Sequence, residues 1–284
     1  MKKLLSLILL LSFTIKAQEI KIGTQTWTSK NLDVSTYRNG DVITQVQNEE
    51  EWSKLTTGAW CYYENKTANG TKYGKLYNWF AVNDPRGLAP KGYHIPSDEE
   101  WEILNVYLGG GSENFGGESE AGTKMKSSTG WNSMGGSKTC NVCKEWTDGY
   151  RYGQAACKAC ANWTEYYRGS GNTCKLCNDS KIVNAAKHNC LSCKNSQTLP
   201  VEISGNGSNS SGFNGPPGGI RGEDGDFAFV GDDGYWWSSS LAHESTSADY
   251  EWVWYRNLNF SISSAGRIFG YGKRSGFSVR CIKD

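Results

Sequence analysis

After its first seventeen residues the sequence has no apolar run approaching the roughly 18 residues that a membrane-spanning helix needs. It also lacks an excess of charge of either sign, because residues 18–284 hold 27 basic and 29 acidic side chains, a net charge of −2. A nearly neutral chain has no positive field to attract nucleic acid or anionic lipid. We therefore expect no transmembrane segment in the mature chain and no nucleic acid as partner.

Aliphatic residues are comparatively scarce, whereas aromatic residues and glycine are abundant. The chain has 12 Trp, 15 Tyr and 9 Phe, and these large rings can fill a core that Leu, Ile and Val do not. Its 34 Gly indicate many turns between short elements. The length suits one large domain or one domain with an insertion.

The first seventeen residues have the layout of a secretory signal peptide. Lys2 and Lys3 precede an apolar run over residues 4–15, and Ala17 is a small residue at the expected cleavage site. The alternative, a buried N-terminal helix, fits this order of charged, apolar and small residues less well. We therefore expect a secreted or cell-surface protein.

The clearest predicted helix begins at Ser97. Ser97 and Glu100 have the spacing of a capping box, and the glycines at 109–111 end the helix. A second helix is predicted over residues 119–127, after a glycine-rich break. Most other apolar runs are short and lie between turn residues, which predicts short antiparallel strands. The expected fold class is α+β, loop-rich, with one or two helices.

A change of composition marks an insertion. Between residues 133 and 211 the apolar periodicity vanishes and cysteine and lysine become frequent, whereas the aromatic pattern resumes after Phe213. We predict a discontinuous domain of residues 18–134 and 211–284 around an inserted module of residues 135–210. The Gly- and Ser-rich flanks of this module are predicted to be flexible linkers.

Ordered motifs recur through the two framing halves. They are GTQTW (23–27) with NL (31–32), GAWCYY (58–63), YGKLYNW (73–79), PKGYHIPSDEEWE (90–102), GTK (122–124), GF (212–213), PGG (217–219) and GFSVRC (276–281). Over roughly residues 20–133 and 211–284 these motifs resemble the Fibrobacter succinogenes major paralogous domain family. Members of that family are typically secreted or surface-displayed bacterial proteins with no shared enzymatic activity. The resemblance therefore implies export and no particular reaction.

More distantly, HIPSDEEWE (94–102) and GFSVRC (276–281) are similar to the formylglycine-generating-enzyme fold, a C-type-lectin-like architecture. The enzymes of that fold need a reactive cysteine pair for copper and oxygen. Outside the insertion this chain has only Cys61 and Cys281, and neither belongs to a local pair. The resemblance thus implies the fold without the activity, and we expect no enzyme.

The inserted module holds eight cysteines in four CxxC pairs that begin 17, 17 and 16 residues apart. Within it, the segment CANWTEYY (160–167) followed by GNTCKLC (171–177) resembles the ephrin-receptor and tumour-necrosis-factor-receptor types of cysteine-rich repeat. Two such pairs could bind one zinc ion, which is one interpretation. The other interpretation is disulfide bonds, which export to an oxidising compartment favours. The spacing does not determine which cysteines would pair. The cysteines are Cys140, Cys143, Cys157, Cys160, Cys174, Cys177, Cys190 and Cys193.

The two remaining cysteines lie in aromatic, strand-like segments. We predict that Cys61 and Cys281 form a disulfide that ties an early strand to the strand at 277–282. The alternative is a pair of buried free thiols.

No cofactor is predicted. Asp224, Asp226 and Asp232 could supply oxygen ligands for calcium, but their spacing fits no EF-hand loop and a solvated turn is the preferred interpretation. The sugar-binding triplet of C-type lectins is absent, so calcium-dependent sugar binding is not implied by the fold. The three histidines have no nucleophilic partner at a recognisable spacing.

The functional hypothesis is a recognition or adhesion protein that binds a surface glycan or protein through aromatic loops. Trp237, Trp254 and Arg256 are the residues predicted to contact that partner. The alternatives are a structural envelope component without a discrete ligand and an enzyme of unknown class.

Overall fold

A computed structural model describes residues 18–111, 119–139, 198–242 and 252–284. The predicted signal peptide and the eight cysteines of the insertion lie outside these residues, so the choice between disulfides and zinc there is untested. The helices are α1 (Glu49–Ser53), α2 (Thr67–Tyr73), α3 (Trp79–Val82), α4 (Asp98–Tyr107) and α5 (Ala121–Met125). None of the helices in the described ranges is long and apolar enough to cross a bilayer.

Short strands make up most of the remaining regular structure. The first eight are β1 (Glu19–Ile22), β2 (Gln25–Thr28), β3 (Thr44–Gln45), β4 (Ala59–Cys61), β5 (Leu76–Tyr77), β6 (Tyr93–His94), β7 (Ser133–Thr139) and β8 (Thr198–Ser204). The others are β9 (Gly218–Arg221), β10 (Phe227–Val230), β11 (Asp233–Leu241), β12 (Val253–Asn259), β13 (Gly266–Ile268) and β14 (Ile282–Lys283). This mixture of short helices and mostly antiparallel strands confirms the α+β class.

The described residues divide into two compact units, one within 18–132 and 205–284 and the other within 133–139 and 198–204. In the first unit the strands form three sheets, with orders β1-β2-β14-β6, β10-β9-β11-β12-β13 and β3-β4-β5. In the second unit β7 and β8 pair as an antiparallel ribbon, from Ser133 opposite Ser204 to Thr139 opposite Thr198.

Backbone hydrogen bonds connect both described flanks of the insertion to neighbouring segments. Residues 134–136 lie within β7, and the segment 205–211 is hydrogen-bonded to residues around α5. The Gly207 amide donates to the Ser127 carbonyl at 2.9 Å and the Ser208 amide to the Thr123 carbonyl at 2.8 Å. A Cβ at Gly207 would lie 2.4 Å from the Lys126 carbonyl oxygen, so glycine serves close backbone approach here rather than flexibility.

Helix α4 confirms the predicted start and capping box. The Ser97 hydroxyl accepts a hydrogen bond from the Glu100 amide, and the Glu100 carboxylate accepts one from the Ser97 amide. Trp101 and Leu104 point into the core, whereas Val106 is 56% exposed. The second helix is shorter than predicted, since α5 covers only five residues.

Aromatic rings fill the core, as the composition predicts. Trp27 and Trp101 lie 4.7 Å apart between ring centroids, and Phe213 packs edge-on against Trp27 at 5.9 Å and Trp101 at 5.8 Å. On the other side of the β11–β12 sheet, Trp237 stacks on Phe277 at 4.1 Å. Each such ring buries about 150–250 Å² of surface, so a few of them supply much of the apolar core.

Buried cations hold the loops that connect these elements. The Arg221 guanidinium donates to the carbonyls of Val46, Gln47 and Gly225 and lies 4.4 Å from the Trp52 ring centroid. The Lys126 ammonium likewise donates to two loop carbonyls, those of Asn259 and Ile262. Because loop carbonyls lack ladder partners, a buried cation that donates to several of them satisfies groups that would otherwise be costly to bury.

The predicted disulfide between Cys61 and Cys281 is wrong. Both residues are fully buried free thiols. Cys61 packs with Trp52 and Leu76, whereas Cys281 belongs to a different apolar cluster that contains Val279. Burial raises the pKa of each thiol to about 12, an effect that Arg221 opposes at Cys61 and Arg280 at Cys281. These thiols are therefore protonated packing residues, the alternative that the sequence left open.

Candidate functional site

The candidate site is an aromatic and arginine-rich face of the β11–β12–β13 sheet, beside the start of α4. Arg256 on β12 is the register partner of Arg267 on β13. Because alternate residues of a strand share a face, Trp254, Arg256, Arg267 and Phe269 lie on one side of the sheet. We call these four residues, together with Asp98, the Trp254 face.

Trp254 sits between an arginine and a second ring. The Arg267 guanidinium lies 3.7 Å from the centroid of the indole, within the range of a cation–π contact. The Phe269 ring meets the indole at 5.0 Å and 82°, an edge-to-face arrangement. Phe269 is 50% exposed and Trp254 is half-buried, so both rings present apolar surface to solvent.

Asp98, the first residue of α4, fixes both arginines of this face. One carboxylate oxygen accepts from Arg256 Nη1 at 2.7 Å and the other accepts from Arg267 Nη2 at 2.6 Å. Arg256 Nη2 also donates to the Asp98 carbonyl oxygen at 2.9 Å. The Asp98 amide donates to the Ser240 hydroxyl at 3.0 Å, which ties the helix start to β11.

The charges of this network are largely shielded from water. Burial alone would raise the pKa of Asp98, but its hydrogen bonds and ion pairs with Arg267 and Arg256 outweigh burial and lower it. Burial lowers the pKa of Arg256, which the carboxylates of Asp98 and Glu102 oppose. A half-buried carboxylate shared by two guanidiniums holds its partners more firmly than an exposed pair would.

The three predicted contact residues have different positions. The prediction that Trp237 contacts a partner is corrected by its position. Trp237 is completely buried, stacks on Phe277 and donates from its indole nitrogen to the Tyr77 carbonyl oxygen at 2.8 Å. Arg256 is also buried, with 3% exposure, so it supports the face from beneath rather than contacting a partner. Trp254 alone of the three presents a ring to solvent.

Sequence reasoning missed Asp98, Arg267 and Phe269. In the sequence, Asp98 is recognisable only as an acidic residue in the first turn of the capped helix, where it interacts favourably with the helix dipole. Arg267 lies on β13 and Phe269 directly follows that strand, and their position beside β12 depends on long-range register. The aromatic-arginine arrangement therefore emerges only from the fold.

The three aspartates considered for calcium lie in turns. The Asp224 carboxylate accepts from the Asp226 amide within the β9–β10 turn, and the Asp232 carboxylate accepts from the Asn132 side chain at 2.9 Å. Within the described ranges, no three His, Cys, Asp or Glu side chains gather in an arrangement that could hold a metal ion.

Taken together, the fold and the Trp254 face define an α+β domain with an aromatic core, interrupted after residue 132 and resumed at residue 205. The chain belongs to the Fibrobacter succinogenes major domain family, whose model matches residues 20–283. No curated protein and no solved structure matches the chain.

Proposed function

We propose that this protein is a secreted or cell-surface recognition protein that binds a glycan through the Trp254 face. The observation that carries the proposal is the half-buried indole of Trp254, flanked by Arg267 and the exposed ring of Phe269. Sugar rings present apolar C–H faces that stack on aromatic side chains, and rigid rings lose little conformational entropy on binding.

The network beneath the rings supports a preformed site. Asp98 links α4 to both strands through Arg256 and Arg267, so the indole is oriented before a ligand arrives. A binding surface that is already ordered does not lose that ordering entropy on association. No reaction is part of the proposal.

Export and a covalently crosslinked insertion belong to the same proposal. A C-type-lectin-like body would display the Trp254 face, and the eight cysteines of residues 140–193 would form disulfides that stabilise a module with few apolar residues. The central position of β14 between β2 and β6, which brings distant segments of the chain into one sheet, supports this fold.

A glycan array probed with the wild-type protein, Trp254→Ala and Phe269→Ala tests the proposal. We expect the wild type to bind a subset of glycans and both variants to lose most of that binding. Tyr107→Ala is the matched control, because Tyr107 is a 63% exposed aromatic residue on α4 that is not part of the Trp254 face.

Near-ultraviolet circular dichroism of each variant separates loss of binding from loss of folding. If the wild type binds no glycan on the array, this result would contradict glycan binding and favour a structural envelope component. Undiminished glycan binding by a folded Trp254→Ala variant would remove the Trp254 face from the proposal. Binding only to cell-wall proteins in a pull-down would replace glycan by protein as the partner.

A further inference from the structure

A polar cleft of about 390 Å³ lies away from the residues of the Trp254 face. Its walls are the loop at residues 29–33, the end of α2 and the loop at residues 214–216. Tyr73 and Pro216 supply apolar surface, whereas most of the other lining groups are polar. The volume falls within the range of small-molecule sites.

The guanidinium of Arg280 forms part of this cleft, although Arg280 is 1% exposed. Its Nε donates to Asn31 Oδ1 at 2.7 Å, and its Nη1 donates to the carbonyls of Thr28 and Phe213, each at 2.7 Å. Its Nη2 donates to the Asn214 carbonyl at 3.0 Å. Arginine has five N–H donors, so one N–H of Nη2 has no partner among the described residues.

Arg280 is a buried cation without an anionic partner among the described residues. Its four acceptors are neutral oxygens, and burial lowers its pKa to about 9. Buried charges are normally paired, so a cation in this state interacts favourably with an anion brought to it.

The rim of the cleft is also positively charged, which suits an anionic ligand. Lys30 and Lys72 are exposed lining residues, and Lys72 lies over the Tyr73 ring at 4.7 Å. Asp33 is the only carboxylate among the described lining residues, and it is neutralised by Lys75 Nζ at 2.6 Å. The described lining therefore presents an excess of positive charge around one unused buried donor.

We propose that this cleft binds the carboxylate of a small ligand, with one oxygen on Arg280 Nη2 and the charge balanced by Lys30 and Lys72. Tyr73 and Pro216 would contact the body of the ligand. A uronic acid and the carboxyl end of a peptide share this chemistry. The inference is independent of glycan binding by the Trp254 face.

Nuclear magnetic resonance offers a local readout. Asn31 Oδ1 accepts both from Arg280 Nε and from the indole nitrogen of Trp236 at 2.9 Å, so a ligand at Arg280 should shift the Trp236 indole signal. The probes are D-glucuronate, N-acetyl-alanine and glucose. We expect saturable shifts with one or both carboxylates and none with glucose, and the stronger of the two carboxylates identifies the source.

The variant Lys30→Gln/Lys72→Gln tests the rim without disturbing the buried arginine. It should weaken carboxylate binding by about three- to tenfold, the effect expected from two exposed charge contacts. The matched control is Lys21→Gln/Lys91→Gln, which removes the same charge from exposed positions outside the lining. Equal affinities of the two variants, equal shifts with glucose, or no shift with either carboxylate would overturn the proposal.

Discussion

The imidazole of His94 joins the first turn of α4 to Asp284, the residue that follows β14. Its Nε2 lies 2.8 Å from Glu100 Oε1 and its Nδ1 lies 2.8 Å from Asp284 Oδ1. A neutral imidazole can donate from only one nitrogen, whereas the protonated ring donates to both carboxylates. Glu100 also closes the capping box of α4, so protonation of His94 strengthens a contact that positions Asp98.

This arrangement predicts a pH-dependent contribution to stability. Burial lowers the pKa of His94, but hydrogen bonds and charge interactions with Asp284 and Glu100 outweigh burial and raise it above 6.5. The contribution is therefore fully present below the unfolded pKa and lost as the pH rises through the folded pKa. Urea unfolding should show that His94→Gln lowers the free energy of unfolding more at about pH 5.5 than at about pH 8.5. The same loss at both pH values would contradict this.

The capping box predicts a moderate loss on removal of one hydroxyl. Ser97→Ala should lower the free energy of unfolding by about 1 kcal/mol, because the Glu100 amide loses its acceptor. Ser97→Asp keeps an acceptor at the same position and should retain most of the wild-type stability. Chemical denaturation of the three proteins checks this, and equal losses in both variants would remove the cap as the cause.

Truncation of Trp237 should mainly reduce stability, whereas truncation of Trp254 should mainly reduce binding. Trp237→Ala should cost about 3–5 kcal/mol of stability, since it empties a fully buried site stacked on Phe277. Trp254→Ala should cost less stability and remove glycan binding, because the indole is half-buried. Thermal unfolding and the glycan array measure the two effects, and a larger thermal loss for Trp254→Ala would reverse the assignment.

Removal of a buried cation should destabilise the loops that it holds. Lys126→Met should cost about 1–3 kcal/mol, because the Asn259 and Ile262 carbonyls lose their donor inside the protein. Lys54→Met is the control, since the exposed Lys54 side chain pairs with the exposed Glu50. Denaturation midpoints compare the two, and similar values would show that the buried amine contributes little.

The free thiols predict a specific labelling pattern. Iodoacetamide at about pH 8 should leave Cys61 and Cys281 unmodified in the native protein, because burial raises the pKa of both thiols to about 12. In denaturant without a reductant, both should be alkylated. Peptide mass mapping reads out each cysteine, and a crosslinked peptide containing both would restore the disulfide that the structure contradicts.

Local signals in the sequence predict local structure well. Ser97 and Glu100 lie three positions apart, so their reciprocal capping is a short-range property, and the structure contains it as expected. The aromatic core follows from composition because few aliphatic residues are present to replace the rings. The α+β class follows from short apolar runs between turns.

Long-range relationships could not be predicted in this way. Trp237 and Trp254 lie in similar aromatic segments, but the register of β11 and β12 decides which ring is buried. Cys61 and Cys281 occupy similar strand-like runs, and only the arrangement of the sheets separates them. The carbonyl partners of Arg221 and Arg280 are spread over distant loops, and no spacing rule connects a cation to the acceptors that it binds.

The strand β14 pairs with both β2 and β6, through Ile282 opposite Trp27 and opposite His94. The β1–β2 hairpin can form early, but the other edge of β2 has no partner until residues 282 and 283 have been synthesised. Removal of residues 282–284 should accordingly leave the edge of β2 open to other strands and make the protein prone to aggregate.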